Sequence, residues 1–334
     1  MKIGKNTFLF ILLSALTIFL FFIDLSVGSV AIPLREVWGA IFGESTDPVV
    51  KGIVINIRLS KAIVALLAGA ALAVSGLQMQ TLFRNPLAGP YVLGISSGAS
   101  LGVALFILGM PLFGWSALNL SLGIAGAAWL GSAIILFVIG ILSQKVNNIM
   151  AILILGMMFS SGVSAIVQIL QYLSHEEALK SFVIWTMGSL GEVNGQQLGL
   201  LAIAVFLGLS LGVATIKPLN LLLLGEDYAR TMGLNITRSR NLLFLSTTLL
   251  AGTVTAFCGP IGFIGLAIPH VAKMTFMNSD HRILVPASVI CGSLILVFCD
   301  VISKILVLPI NAITALLGIP VIIFIVLRYK SFAV

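Results

Sequence analysis

The sequence predicts an all-α, polytopic membrane protein of about ten transmembrane helices, and two observations carry that expectation. Of 334 residues, 59% are hydrophobic and only 9% are charged, against about 45–50% and about 25% in soluble domains. The apolar residues also cluster in runs near the length, about 20 residues, that a helix needs to cross a hydrocarbon core ~30 Å thick. A soluble globule is excluded. Ten such runs leave no room for a sizeable soluble domain, so residues 1–334 read as one membrane domain.

The first run, Thr7 to Val27, follows Lys2 and Lys5 and is longer than the apolar region of an ordinary signal peptide, so it reads as a retained first crossing. Four more follow: Lys61 to Gln80, Leu93 to Met110, Leu120 to Leu142 and Ile149 to Tyr172. A polar stretch with His175, Glu176 and Glu177 separates these from Gln196 to Ile216, Asn241 to Phe257, Gly262 to Met277, Ile283 to Leu308 and Ala312 to Leu327. With the amino terminus inside, twelve Lys and Arg residues fall on the cytoplasmic side and six, among them Arg58, Lys61 and Lys304, at or near the outer side. That asymmetry obeys the positive-inside rule, and an even number of crossings returns the carboxyl terminus to the cytoplasm. The net charge of +7 is thus explained by orientation. The cations are dispersed with no basic stripe, which excludes nucleic acid as a partner.

Two connections are too long to be turns. Outside, Gly28 to Ser60 holds an amphipathic patch of Leu34, Val37, Trp38 and Ile41, expected to lie on the membrane surface. Inside, residues 217–240 contain LNLLLLGEDYARTMGLN, too apolar for a free cytoplasmic loop and therefore expected to be buried against something. Sliding the chain along itself by 183 residues aligns Leu67–Pro86 with Leu250–Pro269 at six identities in twenty positions. These segments cross in opposite directions, as an inverted repeat requires. Each ends in Gly- and Pro-rich sequence, Arg84 to Pro90 and Gly259 to His270. Breaks at membrane depth are tolerated where protein or a water-filled cavity satisfies the freed backbone, so they read as a pathway or, more plainly, as a loop and a packing kink.

Gly94, Gly98 and Gly102 mark a face where two helix backbones approach closely, within one subunit or between two. Asp300 and Lys304 share a helical face near the outer side, as a functional pair or as one that neutralises itself. Arg58 and Lys61 read as a solvated anchor or a docking patch. Cys258, Cys291 and Cys299 lie in apolar surroundings with no ligand spacing, and His175, His270 and His281 form no pair, so no metal site is expected. No phosphate loop and no catalytic cluster occurs, so ATP hydrolysis and enzymatic function are not expected of this chain. An ion-coupled secondary transporter is the alternative reading, but the runs from the second to the eighth carry no acidic residue at their centres.

RLSKAIVALLAGAALAVSGLQMQTLFRNPLAGPYVLGISSGASLG, LGEDYARTMGLN, CGPIGFIGLAIPHVAK and LPINAITALLGIP occur in the order and spacing of the FecCD family, the permeases of ABC importers for iron-siderophores, haem and cobalamin. The chain resembles that family from Arg58 to Leu327. The resemblance implies an inverted-repeat, ten-helix type II importer permease in the bacterial inner membrane, with both termini cytoplasmic. It implies a homodimer with the path between subunits, a periplasmic binding protein that delivers a metal chelate, and two ATPase subunits that bind ATP and Mg; no cofactor is implied in this chain. By the same resemblance Arg58, Lys61 and Lys304 dock the binding protein, while Asn85 and Leu87 gate the path together with the turn Asn147, Asn148, Ile149 and Met150. Leu224, Gly225, Glu226, Ala229, Gly233 and Leu234 then form the coupling helix that seats the ATPase, within residues 217–240. RLSK stands where the family has RLPR, and lysine keeps the charge without the bidentate fork. Val307-Leu308-Pro309-Ile310-Asn311 lacks the glutamate and glycine of the family's E-x-P-V-G pattern.

Overall fold

The computed structural model describes residues 4–28, 32–43, 47–109, 120–146, 148–193 and 195–330, and among them every regular element is helical. In chain order they are α1 (Lys5–Ser26), α2 (Leu34–Phe42), α3 (Pro48–Leu82), α4 (Ile95–Gly109), α5 (Leu120–Lys145), α6 (Ile149–Leu173) and α7 (Glu176–Thr186). Then come α8 (Gly195–Ala214), α9 (Ile216–Leu222), α10 (Glu226–Thr231), α11 (Ile236–Cys258), α12 (Ile264–Phe276), α13 (His281–Leu306) and α14 (Ile310–Lys330). Seven of these, α1, α3, α5, α6, α8, α11 and α13, are long and apolar enough to cross a membrane. α4, α12 and α14 are the further apolar helices, and the ten together overlie the ten predicted runs. Met110, which closes the third predicted run, and Asn147 of the gate turn lie outside the described residues.

α3 is the axis of the molecule. It begins at Pro48, well outside the expected Lys61, because Asp47 accepts a hydrogen bond from the Val49 N–H at 2.9 Å and Pro48 occupies the first helical position. π-helical turns carry the chain from Ile53 through Leu59 into the apolar run. Of an apolar 18-residue stretch of this helix 83% is buried, against 22% of such a stretch in α6 and 11% in α1. It packs most extensively on α13, then on α12 and α8. Small residues allow this: an added Cβ at Gly69 would overlap the Gly292 carbonyl of α13, and one at Gly76 would overlap the Gly265 carbonyl of α12. Pro269 lies inside α12 and has no N–H to offer the carbonyl four residues back, which is Gly265. The carbonyl so released is the one that presses on Gly76. Buried Gln78 ties three elements together, donating to Ser246 of α11 at 2.9 Å and to Thr215 after α8 at 3.3 Å, while accepting from Thr247 at 3.1 Å.

The echoed segments do both break, but at different points. α3 runs on to Leu82, whereas α11 stops at Cys258, and residues from Ile264 through Pro269 and His270 are helical. Gly259, at φ 74°, is the stop: a side chain there would crowd the Trp185 carbonyl. The Gly98 and Gly102 face meets α5 of the same chain, against Gly131 and Ala127, which decides the small-residue stripe for packing within one subunit. The surface helix is α2. Its Val37 and Ala40 are buried with Leu25, Val54 and Ala62, while Leu34, Trp38 and Phe42, four apart, are exposed on one side. All three cysteines are free and buried.

One element has no counterpart among the predicted runs. α7 turns back after α6 and buries Phe182 and Trp185 in the core that α4 helps to form. The chain beyond it is held by Ser189, whose N–H donates to the Cys258 carbonyl at 2.8 Å.

Candidate gate, coupling and docking sites

At the end expected to be cytoplasmic, α3 is released at Arg84, which stands at φ 46°, a left-handed conformation that ends a helix sharply. The Asn85 side chain then accepts from the Leu87 N–H at 2.9 Å, a short turn that leaves Leu87 exposed. His270 of α12 donates its Nε2–H to the Pro86 carbonyl at 2.8 Å and anchors the same loop. The companion turn starts α6, where Asn148 caps the helix by accepting from the Met150 N–H at 2.9 Å. Met150 is exposed, like Leu87, and Ile149 is partly buried.

The segment 217–240 folds as α9, a sharp bend at Gly225, α10 and a second bend at Gly233. Gly225 has φ 105° and Gly233 φ 82°, so both places exclude side chains on conformational grounds. α10 ends in a Schellman motif: Leu234 N–H returns to the Ala229 carbonyl at 3.0 Å and Gly233 N–H to that of Arg230 at 2.9 Å. Ala229, which the resemblance places among the residues that seat the ATPase, is fully buried and packs inward, in the core that also holds Leu219 and Leu222 of α9. Leu224, Tyr228 and Met232 are exposed.

Glu226 does not face outward freely. Both its carboxylate oxygens accept from Nη2 of Arg240, on α11, at 2.7 Å. Nη1 of the same buried guanidinium donates to the Val146 carbonyl at 3.5 Å, in the turn that opens α6. Arg240 thus ties residues 217–240 to the turn before α6. A second tie holds α9: Asn220 donates to Asp280 at 2.7 Å and accepts from both the His281 N–H, at 2.9 Å, and its Nδ1–H, at 2.7 Å. Asp280 caps α13, and the Arg282 N–H, with Asn220 beside it, holds its carboxyl below the usual carboxylate range.

At the opposite end of the bundle four charged residues form one chain of pairs. Lys304 lies 2.8 Å from Asp24 of α1 and 3.0 Å from Asp300 one turn back, and Lys61 lies 3.0 Å from the same Asp300. Arg58 donates to the carbonyls of Leu25 and Ser26 at 3.1 Å each, closing the carboxyl end of α1 as a cation should. The bend at Gly28 makes room for that guanidinium. Two of the three expected docking cations are therefore turned inward: Arg58 is buried, and the Lys304 side chain is 7% exposed against 22% for Lys61. Docking through Arg58 or Lys304 would require each to leave its partners within the chain. Asp300 and Lys304 do pair, but with Asp24 and Lys61 as well. Beside them lies a cavity of about 410 Å³ that Lys61, Ser189, Lys304 and Pro309 help to line. No group of three or more His, Cys, Asp or Glu that would hold a metal ion forms among the described residues.

Comparison with known proteins places this arrangement. A family model described as the FecCD transport family matches residues 16–328. The haemin transport system permease protein HmuU of Yersinia pestis is 36% identical over 311 residues, 92% of this chain and 91% of that protein. The vitamin B12 import system permease protein BtuC of Klebsiella pneumoniae is 39% identical over 282 residues, 83% of this chain and 82% of that one. A solved inward-facing structure described as a metal-chelate type ABC transporter superposes with a TM-score of 0.82 at 32% identity, covering 96% of this chain and 99% of the other. Because the family match runs from the first crossing to the last, and relatives share more than a third of their residues across most of both chains, this chain belongs to the FecCD transport family and is a multi-pass inner-membrane permease of an ABC importer.

Proposed function

We propose that the chain is a single permease domain that works as a homodimer and moves a metal chelate from the periplasm into the cytoplasm. ATP and Mg are bound and ATP is hydrolysed by separate ATP-binding cassette subunits, and a periplasmic binding protein delivers the cargo. Both termini are cytoplasmic in this reading. The observation that carries it is the cytoplasmic strip of Leu224, Tyr228 and Met232. Tyr228 lies on α10, with Leu224 just before the bend at Gly225 and Met232 at the helix end before Gly233, and Arg240 binds that helix to the turn before α6. An ATPase seated on this strip would pull on the gate directly. The cargo classes of the relatives, haem, vitamin B12 and metal chelates, support the substrate reading. At the outer end Lys61 is the cation best placed to meet an acidic binding protein, since it is the most exposed of the three.

The strip is tested by replacing Tyr228 and Met232 together with aspartate. Truncating apolar anchors at an interface costs about 2 kcal/mol or more each, so capture of the ATPase by the double variant should weaken at least about thirtyfold. ATPase affinity equal to that of the parent chain would remove the strip from the interface.

A further inference from the structure

Where α3, α12 and α13 meet, at the end of the bundle that carries Asn85 and Leu87, lies a cavity of about 180 Å³ to which the import reading gives no role. Arg84 and Asn85 beyond α3, His270 and Lys273 of α12, and Ser279 and His281 at the start of α13 help to line it. Residues 270 and 273 stand three apart and share a face of α12, and His270 ties that face to the Pro86 carbonyl at 2.8 Å. A side chain at Gly225 would begin 3.5 Å from Nη1 of Arg84, so the guanidinium lies against the bend that opens α10.

The two cations are unspent. Among the described residues neither the Arg84 guanidinium nor the Lys273 ammonium makes an ion pair or a hydrogen bond, and the lining holds no Asp or Glu. The acids nearest in sequence are taken: Asp280 accepts from the Asn220 amide at 2.7 Å and the Arg282 N–H at 2.9 Å, and Glu226 is held by Arg240. Asp227 is exposed and forms no ion pair with either cation. A cleft lined by charge of one sign concentrates the counter-ion. Neutral donors stand beside the cations as well. Asn85 spends its side-chain oxygen on the Leu87 N–H and keeps its NH2, and the Ser279 hydroxyl has no partner among the described residues. An arginine fork, a lysine point charge, an amide and a hydroxyl, brought from separate elements, suit an anion with several oxygens better than a planar carboxylate with two. Basic pockets between membrane helices hold phosphate-bearing lipid heads in this way. We propose that this cavity binds a phosphate group, of an anionic lipid or of free phosphate, between Arg84 and Lys273. Seated there, the group holds the loop of Asn85 and Leu87 to α12 and to the bend before α10. Both cations are exposed, so the ligand has open access and its affinity falls with salt. The inference goes beyond the import reading and does not depend on it.

The test measures equilibrium binding to the full chain of two probes: radiolabelled inorganic phosphate in neutral detergent, and spin-labelled phosphatidylglycerol in phosphatidylcholine bilayers. At least one should bind saturably, and Lys273→Gln should weaken it about tenfold, as loss of a hydrogen bond to a charged group does. Arg84→Asn, with a side chain that tolerates left-handed backbone, should act likewise, and the two changes together should abolish binding. Lys273→Arg should keep most of the affinity. Arg282→Gln removes an exposed cation outside the lining and should change nothing. Binding of phosphatidylglycerol alone assigns the site to a lipid head, and binding of inorganic phosphate that the lipid does not displace assigns it to the free ion. Saturable binding of neither probe, an affinity untouched by Lys273→Gln, or an equal loss in Arg282→Gln overturns the site. Lys273 is exposed on α12, so its variant decides the matter even where Arg84→Asn fails to assemble.

Discussion

Replacing Gly76 by alanine is expected to abolish assembly of the permease. The new methyl group would overlap the Gly265 carbonyl, a backbone atom that has no rotamer to retreat into. α3 would have to withdraw from α12, and with it the tight Gly69–Gly292 crossing on α13 and the Gln78 bonds to α8 and α11. Overpacking in a core costs about 1–3 kcal/mol when side chains can yield, and more is expected where backbone must move. Gly126, in α5, meets nothing within 4 Å of an added Cβ. Alanine there should be neutral or stabilising by a few tenths to about 1 kcal/mol, through helix propensity. Thermal denaturation of the detergent-solubilised chains, followed by size-exclusion chromatography, checks both. A Gly76→Ala protein as stable as the parent would mean that the crossing is looser than the structure shows.

Replacing Arg240 by alanine should leave the transporter assembled but uncoupled. Nη2 of the guanidinium holds both Glu226 oxygens while Nη1 reaches Val146, so its loss severs the link between α10 and the turn before α6. Hydrogen bonds to a charged group contribute about 1.5–3 kcal/mol, enough to lower the number of cargo molecules moved per ATP by about tenfold. Arg240→Lys keeps the charge but not the fork and should be nearly as poor. Glu226→Gln should fall between, and the double change Glu226→Gln with Arg240→Ala should cost less than the sum of the two, as coupled partners do. The readout is the ratio of uptake to hydrolysis in proteoliposomes. An unchanged ratio in Arg240→Ala would remove the residue from the coupling route.

The ten crossings were legible because membrane helices write themselves as long apolar runs, and each predicted run falls on a helix of the structure. What was hidden depends on directions and distant partners. α7 reads as a loop because Glu176, Glu177 and Lys180 open it, yet Phe182 and Trp185 pull it back into the core. Lys304 finds Asp24 across 280 residues, and no local pattern announces that pair. Arg58 has the register of an outer anchor, but the π-helical turns before it set where its side chain goes, and it closes α1 instead. In residues 217–240 the sequence shows Gly225 and Gly233 but not their left-handed backbone, and the inward direction of Ala229 appears only in the fold.

The central claim is that transport through this chain is powered by ATP hydrolysed elsewhere. The most direct measurement loads proteoliposomes bearing the permease, its ATPase and its binding protein with chelate on the binding-protein side and ATP on the ATPase side. Uptake should require ATP, cease with a non-hydrolysable analogue and survive the collapse of every ion gradient. Accumulation of the chelate by the permease alone, driven by a proton or sodium gradient, would contradict the account.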